Sequence, residues 1–117
     1  EINMDGVIII STPQEIALQD VKRGIRMFDK LKVKILGLID NMSHFIGDDG
    51  KKYAIFGEGG VKKTAEEFKK DFLGEIPIDP EVGKQGDLGS PIVESKPEHE
   101  ISKIYFRFAE KIKSIYL

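Results

Sequence analysis

A chain of 117 residues with 40% apolar and 32% charged side chains has the composition of one soluble globular domain with a core, not of a disordered segment. Its formal net charge of −2 lacks the clustered basic surplus that is typical of nucleic-acid binding. The absence of cysteine excludes disulfides, zinc–thiolate sites and iron–sulfur clusters held by this chain alone, and no apolar run reaches the roughly 18 residues of a membrane span.

The first two predicted strands flank a helix. Val7–Ile10 is a run of β-branched residues and Ile35–Ile39 is a second apolar run, and both patterns are typical of strands buried in a parallel sheet. Between them, apolar residues at helical spacing predict a helix that ends near Leu31. A capping signal, with Thr12 as the cap and Pro13 at the first helical position, predicts where this helix begins. The three elements therefore form a parallel, right-handed βαβ unit.

The remaining predicted elements are a hairpin, three helices and a third core strand. The turn signal Asp49–Gly50 predicts the hairpin, and Asp79 followed by Pro80 predicts the start of a short helix. The ranges are 45–53 for the hairpin, 61–70, 80–84 and 97–116 for the helices, and 72–76 for the strand. The fold class is therefore α/β, with a partial doubly wound, mostly parallel sheet of three core strands, in one domain over residues 1–117.

Polar residues follow two of the core strands. Asn41 comes after the second strand, and Pro77, Ile78 and Asp79 come after the third. Carboxyl ends of parallel strands meet at one edge of a sheet, where open α/β folds bind ligands. The Asn41 amide offers two donors and an acceptor, which suffice to read a purine edge. Singly, Asn41 fits a turn residue and Asp79 a helix cap, but together they predict a purine-binding crevice.

The other candidate residues favour ordinary structural roles. Gly57–Gly60 precedes a helix, but no Gly-x-x-x-x-Gly-Lys-Ser/Thr pattern occurs, which favours a flexible turn over an anion site. His44 and His99 are too separated for a metal cluster, and His44 beside Asp48 and Asp49 indicates a solvated loop. We therefore predict no catalytic and no metal-binding residue. The basic, aromatic last helix is expected to pack on the sheet and not to lie on a membrane.

An ordered series of motifs resembles a known family. The series consists of Asp5–Gln14, Ala17–Asp20, Leu36–Gly37, Asn41–Ser43, Ile55–Gly60, Leu73–Pro77, Asp79–Pro80, Gly86–Asp87 and Gly89–Pro91. It closely resembles the carboxyl-terminal half of Mrp/ApbC-type P-loop ATPases, which are MinD/ParA-like nucleotide-binding proteins that carry iron–sulfur clusters. The resemblance covers most of the chain.

The resemblance implies a Rossmann-like, three-layer P-loop NTPase fold and a cytoplasmic homodimer that binds ATP with Mg and serves iron–sulfur client proteins. Asn41 is similar to the family's adenine-reading Asn, and Pro77, Ile78 and Asp79 are similar to the loop that flanks the base. His44 stands where a guanine-reading protein would need a carboxylate, which favours adenine.

Two departures from the family pattern limit these expectations. The phosphate-binding loop and the magnesium-binding acids belong to the other half of the family's domain, so the chain alone should not hydrolyse ATP. Where many members carry Cys-x-x-Cys, this chain has Ile46–Gly50 without a thiolate, which counts against cluster binding there. The alternatives are a non-catalytic adaptor without nucleotide binding and a MinD-like membrane-cycling ATPase acting through the last helix. A half-domain with an open sheet edge should also self-associate.

Overall fold

The computed structural model describes residues 6–116, with side chains to residue 115, so Asp5, the first residue of the motif series, lies outside the described part. Ten elements follow one another along the chain. They are β1 (Val7–Ser11), α1 (Glu15–Lys30), β2 (Ile35–Asn41), β3 (Phe45–Ile46), β4 (Lys52–Tyr53), α2 (Gly60–Glu67), β5 (Phe72–Ile76), α3 (Pro80–Asp87), α4 (Ile92–Ser95) and α5 (Glu100–Tyr116).

The central sheet has three parallel strands in the order β1-β2-β5. The register pairs Ser11 with Asp40 across β1 and β2, and it pairs Asn41 with Ile76 across β2 and β5. β3 and β4 form a separate antiparallel hairpin. The α/β prediction, with three parallel core strands and a small hairpin, is confirmed.

Helices cover both faces of the sheet, so the fold has three layers. Consecutive β2 residues point to opposite faces: Leu38 belongs to the core cluster with Val21 and Ile25 of α1, whereas Ile39 belongs to the cluster with Ile101 of α5. Because β2 is apolar on both faces, it occupies the middle of the sheet. This arrangement brings its carboxyl end, and therefore Asn41, to the edge next to the end of β5.

The predicted start of α1 is wrong. The helix begins at Glu15, and its cap, Gln14, makes no side-chain capping bond. Thr12 instead donates its hydroxyl to the Gln14 side chain at 3.2 Å. The buried Pro13 lies in the turn between β1 and the helix, where its carbonyl faces Gly57 and Gly60. Packing against that loop displaces Pro13 from the first helical turn.

The other helix boundaries differ by a few residues. α2 ends before the predicted residue 70 and α3 continues beyond the predicted residue 84. The sequence reasoning missed α4, a single turn fixed by the buried Ile92. α5 begins at Glu100 and not at Pro97, because His99 acts as its cap: its Nδ1 accepts a hydrogen bond from Ile101 N at 3.1 Å.

The apolar stripe of α5 packs on the sheet, as predicted. Ile101, Ile104, Phe108 and Ile112 join one core cluster, whereas Tyr105 at the edge of the stripe is 37% exposed. None of the helices within residues 6–116 combines the length and the apolarity that crossing a membrane requires. Since Phe108 and Ile112 contact the core, they are not displayed as a membrane-inserting face.

Candidate functional site

The four predicted site residues, Asn41, Pro77, Ile78 and Asp79, line a single cavity of about 350 Å³ at the carboxyl edge of the sheet. This volume lies at the low end of the range for ligand pockets, about 300–1,000 Å³. Met42, Val82, Gly83 and Tyr105 contribute further lining. The two strand ends on which the purine hypothesis depends are therefore neighbours around one cavity.

Backbone hydrogen bonds continue beyond the ends of β2 and β5 and hold the two tips side by side. Ser43 N donates to Ile76 O at 3.0 Å, and Ile78 N donates to His44 O at 2.6 Å. Within residues 6–116, no hydrogen bond reaches the carbonyl oxygens of Pro77 and Ile78. The two residues that carry these acceptors both line the cavity.

The Asn41 side chain is oriented by its own turn. Its Oδ1 accepts a hydrogen bond from Met42 N at 3.0 Å. Met42 has φ 56°, in the left-handed region that residues with a side chain seldom adopt and that costs about 1–2 kcal/mol. The turn holds the amide oxygen near the backbone and leaves the two amide N–H donors for a ligand.

Asp79 supports the cavity wall. Its Oδ1 accepts a hydrogen bond from Glu81 N at 2.9 Å, so Asp79 caps α3 as predicted, with Pro80 in the first turn. His99 Nε2 lies 3.5 Å from Asp79 Oδ2. His99 Nδ1 accepts from the start of α5, so Nε2 is the ring nitrogen on the side of the Asp79 carboxylate. Asp79 thus links the starts of α3 and α5 behind the cavity.

A second polar contact holds the same two regions together. Lys96 Nζ and Gln85 Nε2 donate to Glu81 Oε1 at 2.6 Å and 2.8 Å. The hydrogen bond from Lys96, followed by the one from Gln85, lowers the pKa of Glu81 to about 2. Glu81 is therefore ionised at neutral pH, and its contacts anchor α3 to the loop before α5.

Sequence reasoning missed the role of Asp40. The side chain is 2% exposed, and its Oδ1 has no hydrogen-bond partner in the part of the chain that the structure describes. Burial, and secondarily the charge of Glu75, raises its pKa to about 6. Asp40 points to the face opposite Asn41, so it is not part of the cavity wall. The signal was visible in the sequence, because Asp40 is an ionisable residue at the end of a buried apolar run.

The interpretation of His44 as part of a solvated loop is wrong. Its side chain is 12% exposed, and its Nδ1 lies 2.7 Å from Ser43 Oγ and 3.8 Å from Glu75 Oε2. Burial, followed by the nearby charge of Lys52, lowers its pKa. His44 does not line the cavity with Asn41. His44 lies inward because the segment that follows β2 pairs with the end of β5.

The glycine-rich loop before α2 serves packing. Gly59 has φ 72°, and a Cβ on Gly60 would lie 2.6 Å from Leu18 Cδ1 and 3.2 Å from Pro13 O. Glycine at position 60 therefore lets α2 approach α1 closely. This close packing accounts for the glycines of the loop without an anion-binding role.

The hairpin formed by β3 and β4 is closed by hydrogen bonds. Asp49 Oδ1 accepts from Lys51 N at 2.9 Å, and Asp49 Oδ2 accepts from Tyr53 OH at 2.5 Å. No group of three or more His, Asp or Glu side chains that could hold a metal ion occurs within residues 6–116. With no thiolate in the whole sequence, the hairpin does not fit an iron–sulfur cluster.

Comparison with known proteins places this geometry in a family. The family described as ParA, NUBPL iron-transfer P-loop NTPase, matches residues 1–113. The iron–sulfur cluster carrier protein of Aquifex aeolicus is 40% identical to this chain, and the match covers 97% of this chain and 32% of the relative. The protein of the same name from Saccharolobus solfataricus is also 40% identical, and the match covers 94% of this chain and 38% of the relative. The chain thus spans about a third of the length of these relatives.

Solved structures agree with the sequence match. A nucleotide-binding protein from Archaeoglobus fulgidus in complex with ADP is 38% identical and has a TM-score of 0.62, over 73% of this chain and 35% of the other. The cell division ATPase MinD from Pyrococcus furiosus has a TM-score of 0.72 at 22% identity, and the match covers 95% of this chain and 43% of MinD. At this identity the likeness shows only that the two proteins share a fold. With the family match over residues 1–113, the chain belongs to the NUBPL iron-transfer P-loop NTPases of the ParA group.

Proposed function

We propose that this chain is the base-binding part of an ATP-binding, Mrp-like P-loop ATPase that takes part in iron–sulfur cluster assembly or transfer. The observation that carries the proposal is the cavity in which Asn41, Pro77, Ile78 and Asp79 meet at the carboxyl edge of the parallel sheet. Family membership and the ADP complex of the Archaeoglobus fulgidus relative support a nucleotide as the ligand.

The polar groups of the cavity favour adenine over guanine. Adenine presents its N6 amino group as a donor beside the N7 acceptor, whereas guanine presents the O6 acceptor. The carbonyl oxygens of Pro77 and Ile78 can accept from the adenine N6 amino group, and the Asn41 amide can donate to a ring nitrogen. Guanine bound in the same orientation would place its O6 acceptor against these carbonyl oxygens. The base would bind flat in the cavity, with Asn41 fixing its orientation.

The phosphates and Mg of such a nucleotide require groups that this chain does not supply. The sequence has no phosphate-binding lysine loop, and the described residues hold no acidic metal cluster. The chain therefore provides recognition of the base, while phosphoryl transfer would depend on the remaining part of a family domain. An iron–sulfur cluster would be a cargo, and its thiolate ligands would come from outside this chain.

The test is a chimera in which this chain replaces its counterpart in the Aquifex aeolicus relative. We expect the chimera to bind ATP by calorimetry and to hydrolyse it. Asn41→Ala should weaken ATP binding about tenfold through the loss of hydrogen bonds. Gln19→Ala, an exposed position on α1, is the matched control and should have no effect.

The rival function is a non-catalytic adaptor. The exposed apolar side chains of the cysteine-free hairpin, Phe45, Ile46 and Tyr53, favour it, because such residues often contact partners. A folded chimera that shows neither ATP-binding heat nor turnover would support the adaptor and contradict the proposed ATPase.

A further inference from the structure

A second cavity, of about 420 Å³, lies between the outer edge of β5 and the flank of α5. We call it the α5 groove, and its residues are His44, Leu73, Gly74, Glu75, Pro77, Ile104, Arg107, Phe108 and Lys111. Pro77 is the one residue that also lines the candidate nucleotide cavity. Leu73, Ile104 and Phe108 give the groove an apolar floor.

One rim of the α5 groove carries two unpaired cations. Arg107 and Lys111 are both exposed and lie one helical turn apart on α5. Within residues 6–116, neither of them forms an ion pair or a side-chain hydrogen bond. By contrast, Lys103 on the same helix is paired with Glu100 at 3.5 Å. The two rim cations are therefore available to carboxylates from outside the chain.

The acidic group on the opposite side of the groove, Glu75, has a cationic neighbour in Lys52. Glu75 Oε2 lies 3.5 Å from Lys52 Nζ and 3.8 Å from His44 Nδ1. Its repulsion of an incoming carboxylate is thereby reduced. The groove thus offers an apolar floor, a cationic rim and an acid that is paired with Lys52.

Two other occupants fit the groove less well. A second copy docked symmetrically on the groove would bring its own Arg107 and Lys111 against these residues. The bulge at Leu73 in β5 interrupts the edge that sheet pairing needs. A membrane surface would need apolar side chains to insert, but Ile104 and Phe108 already pack in the core. Charge complementarity therefore favours an acidic polypeptide.

We propose that the α5 groove binds an extended acidic segment of a partner protein. Carboxylates at alternate positions of the segment would pair with Arg107 and Lys111, and the apolar side chains between them would contact the floor of the groove. Successive turns of α5 are separated by about 5.4 Å, and alternate residues of an extended chain by about 6.6–6.8 Å. Alternate side chains of an extended segment also point in opposite directions, so one set reaches the rim while the other set reaches Leu73 and Phe108.

The test uses fluorescence anisotropy on the full chain, with a short fluorescein-labelled peptide in which Glu and Val alternate. Comparison peptides carry Lys in place of Glu, or the same residues with all Glu at one end. We expect the alternating acidic peptide to bind most tightly. The double variant Arg107→Gln/Lys111→Gln should weaken this binding about tenfold. The control variant Lys62→Gln/Lys113→Gln removes the same charge outside the groove and should leave the affinity unchanged.

Charge reversal separates recognition from loss of folding. The variant Arg107→Glu/Lys111→Glu should prefer the Lys–Val peptide while keeping its circular dichroism spectrum. Equal binding of the acidic peptide to both Gln variants, or no binding at all, would overturn the proposal. So would binding of this chain to vesicles of phosphatidylcholine and phosphatidylglycerol that depends on Arg107 and Lys111 while the peptide does not compete.

Discussion

Asp40 is the residue whose chemistry departs furthest from that of an ordinary surface carboxylate. Its neighbours in the register, Ser11 and Glu75, lie on the same face of the sheet, and neither provides a hydrogen bond to Oδ1. A buried acid without a donor is disfavoured in its charged form. The folded chain therefore holds a proton on Asp40 at a pH at which the unfolded chain has lost it.

This shift predicts a direction for the dependence of stability on pH. The pKa of Asp40 is about 6 in the folded chain, against an ordinary value of 3.8. Between these values the folded state binds more protons than the unfolded state, so the free energy of unfolding decreases as the pH rises. Above the pKa of Asp40 in the folded chain, ionisation of this buried acid lowers the free energy of unfolding by about 3 kcal/mol.

Asp40→Asn should remove that dependence. In urea unfolding, the stability of the variant relative to the unmodified chain should be greater near pH 8 than near pH 4, because only the unmodified chain pays for ionising a buried acid. Asp48→Asn, at an exposed position of the hairpin, removes the same charge and serves as the comparison. An identical difference between Asp40→Asn and the unmodified chain at both pH values would mean that Asp40 is not shifted.

The same residue shows what sequence reasoning could and could not find. Asn41 and Asp79 were identified because they follow apolar runs, and the ends of parallel strands share an edge. The position of Asp40 at the end of the same apolar run was visible in the sequence, but its missing hydrogen-bond donors are a property of three-dimensional packing. The inward position of His44 likewise depends on the bond between Ile78 N and His44 O, which connects residues far apart in the sequence.

At the scale of the elements, the contact between β5 and α5 depends on a glycine. Gly74 has φ 148°, and a Cβ at this position would lie 2.7 Å from Phe108 Cε1. The absence of a side chain lets Phe108 pack directly on the strand, where it joins the core cluster. The packing of α5 determines both cavities, since Tyr105 lines one and Phe108 lines the other.

Gly74→Ala should therefore destabilise the fold by about 1–3 kcal/mol through backbone strain and overpacking. Gly86→Ala in α3 is the matched control: a Cβ there meets nothing within 4 Å. The free energy of unfolding of that variant should rise by about 0.4–1 kcal/mol, because alanine has a higher helix propensity and reduces the conformational entropy of the unfolded chain. Urea unfolding measures both effects, and equal stability of the two variants would contradict the role assigned to Gly74.

Element types were predictable and element starts were not. Apolar periodicity identified the core strands and the long helices, because the pattern repeats over many residues. The start of α1 was misplaced because local capping signals near Thr12 and Pro13 compete with tertiary packing of the preceding turn. α4 was missed because four residues do not show a periodicity.

At the scale of the whole molecule, the outer edge of β1 has no strand partner within residues 6–116. Ile10 on β1 is 54% exposed and Ile16 on α1 is 77% exposed. Open edges flanked by apolar side chains promote association. The chain spans about a third of the length of its relatives.

The isolated chain should therefore self-associate as its concentration rises, as measured by multi-angle light scattering. Ile10→Lys should reduce association by placing a charge on the open edge. Lys113→Gln, at an exposed site on α5, should not change it. A strictly monomeric chain at high concentration would contradict this prediction.

We propose that the tips of β2 and β5 form an adenine-binding wall. The most direct measurement is a titration of the isotopically labelled chain with adenosine, observed by nuclear magnetic resonance, with guanosine as the comparison. We expect adenosine to shift the side-chain amide signals of Asn41 and the backbone signals of Ile78 and Asp79, and guanosine to shift them far less. Equal shifts with both nucleosides, or shifts confined to residues outside this cavity, would contradict it.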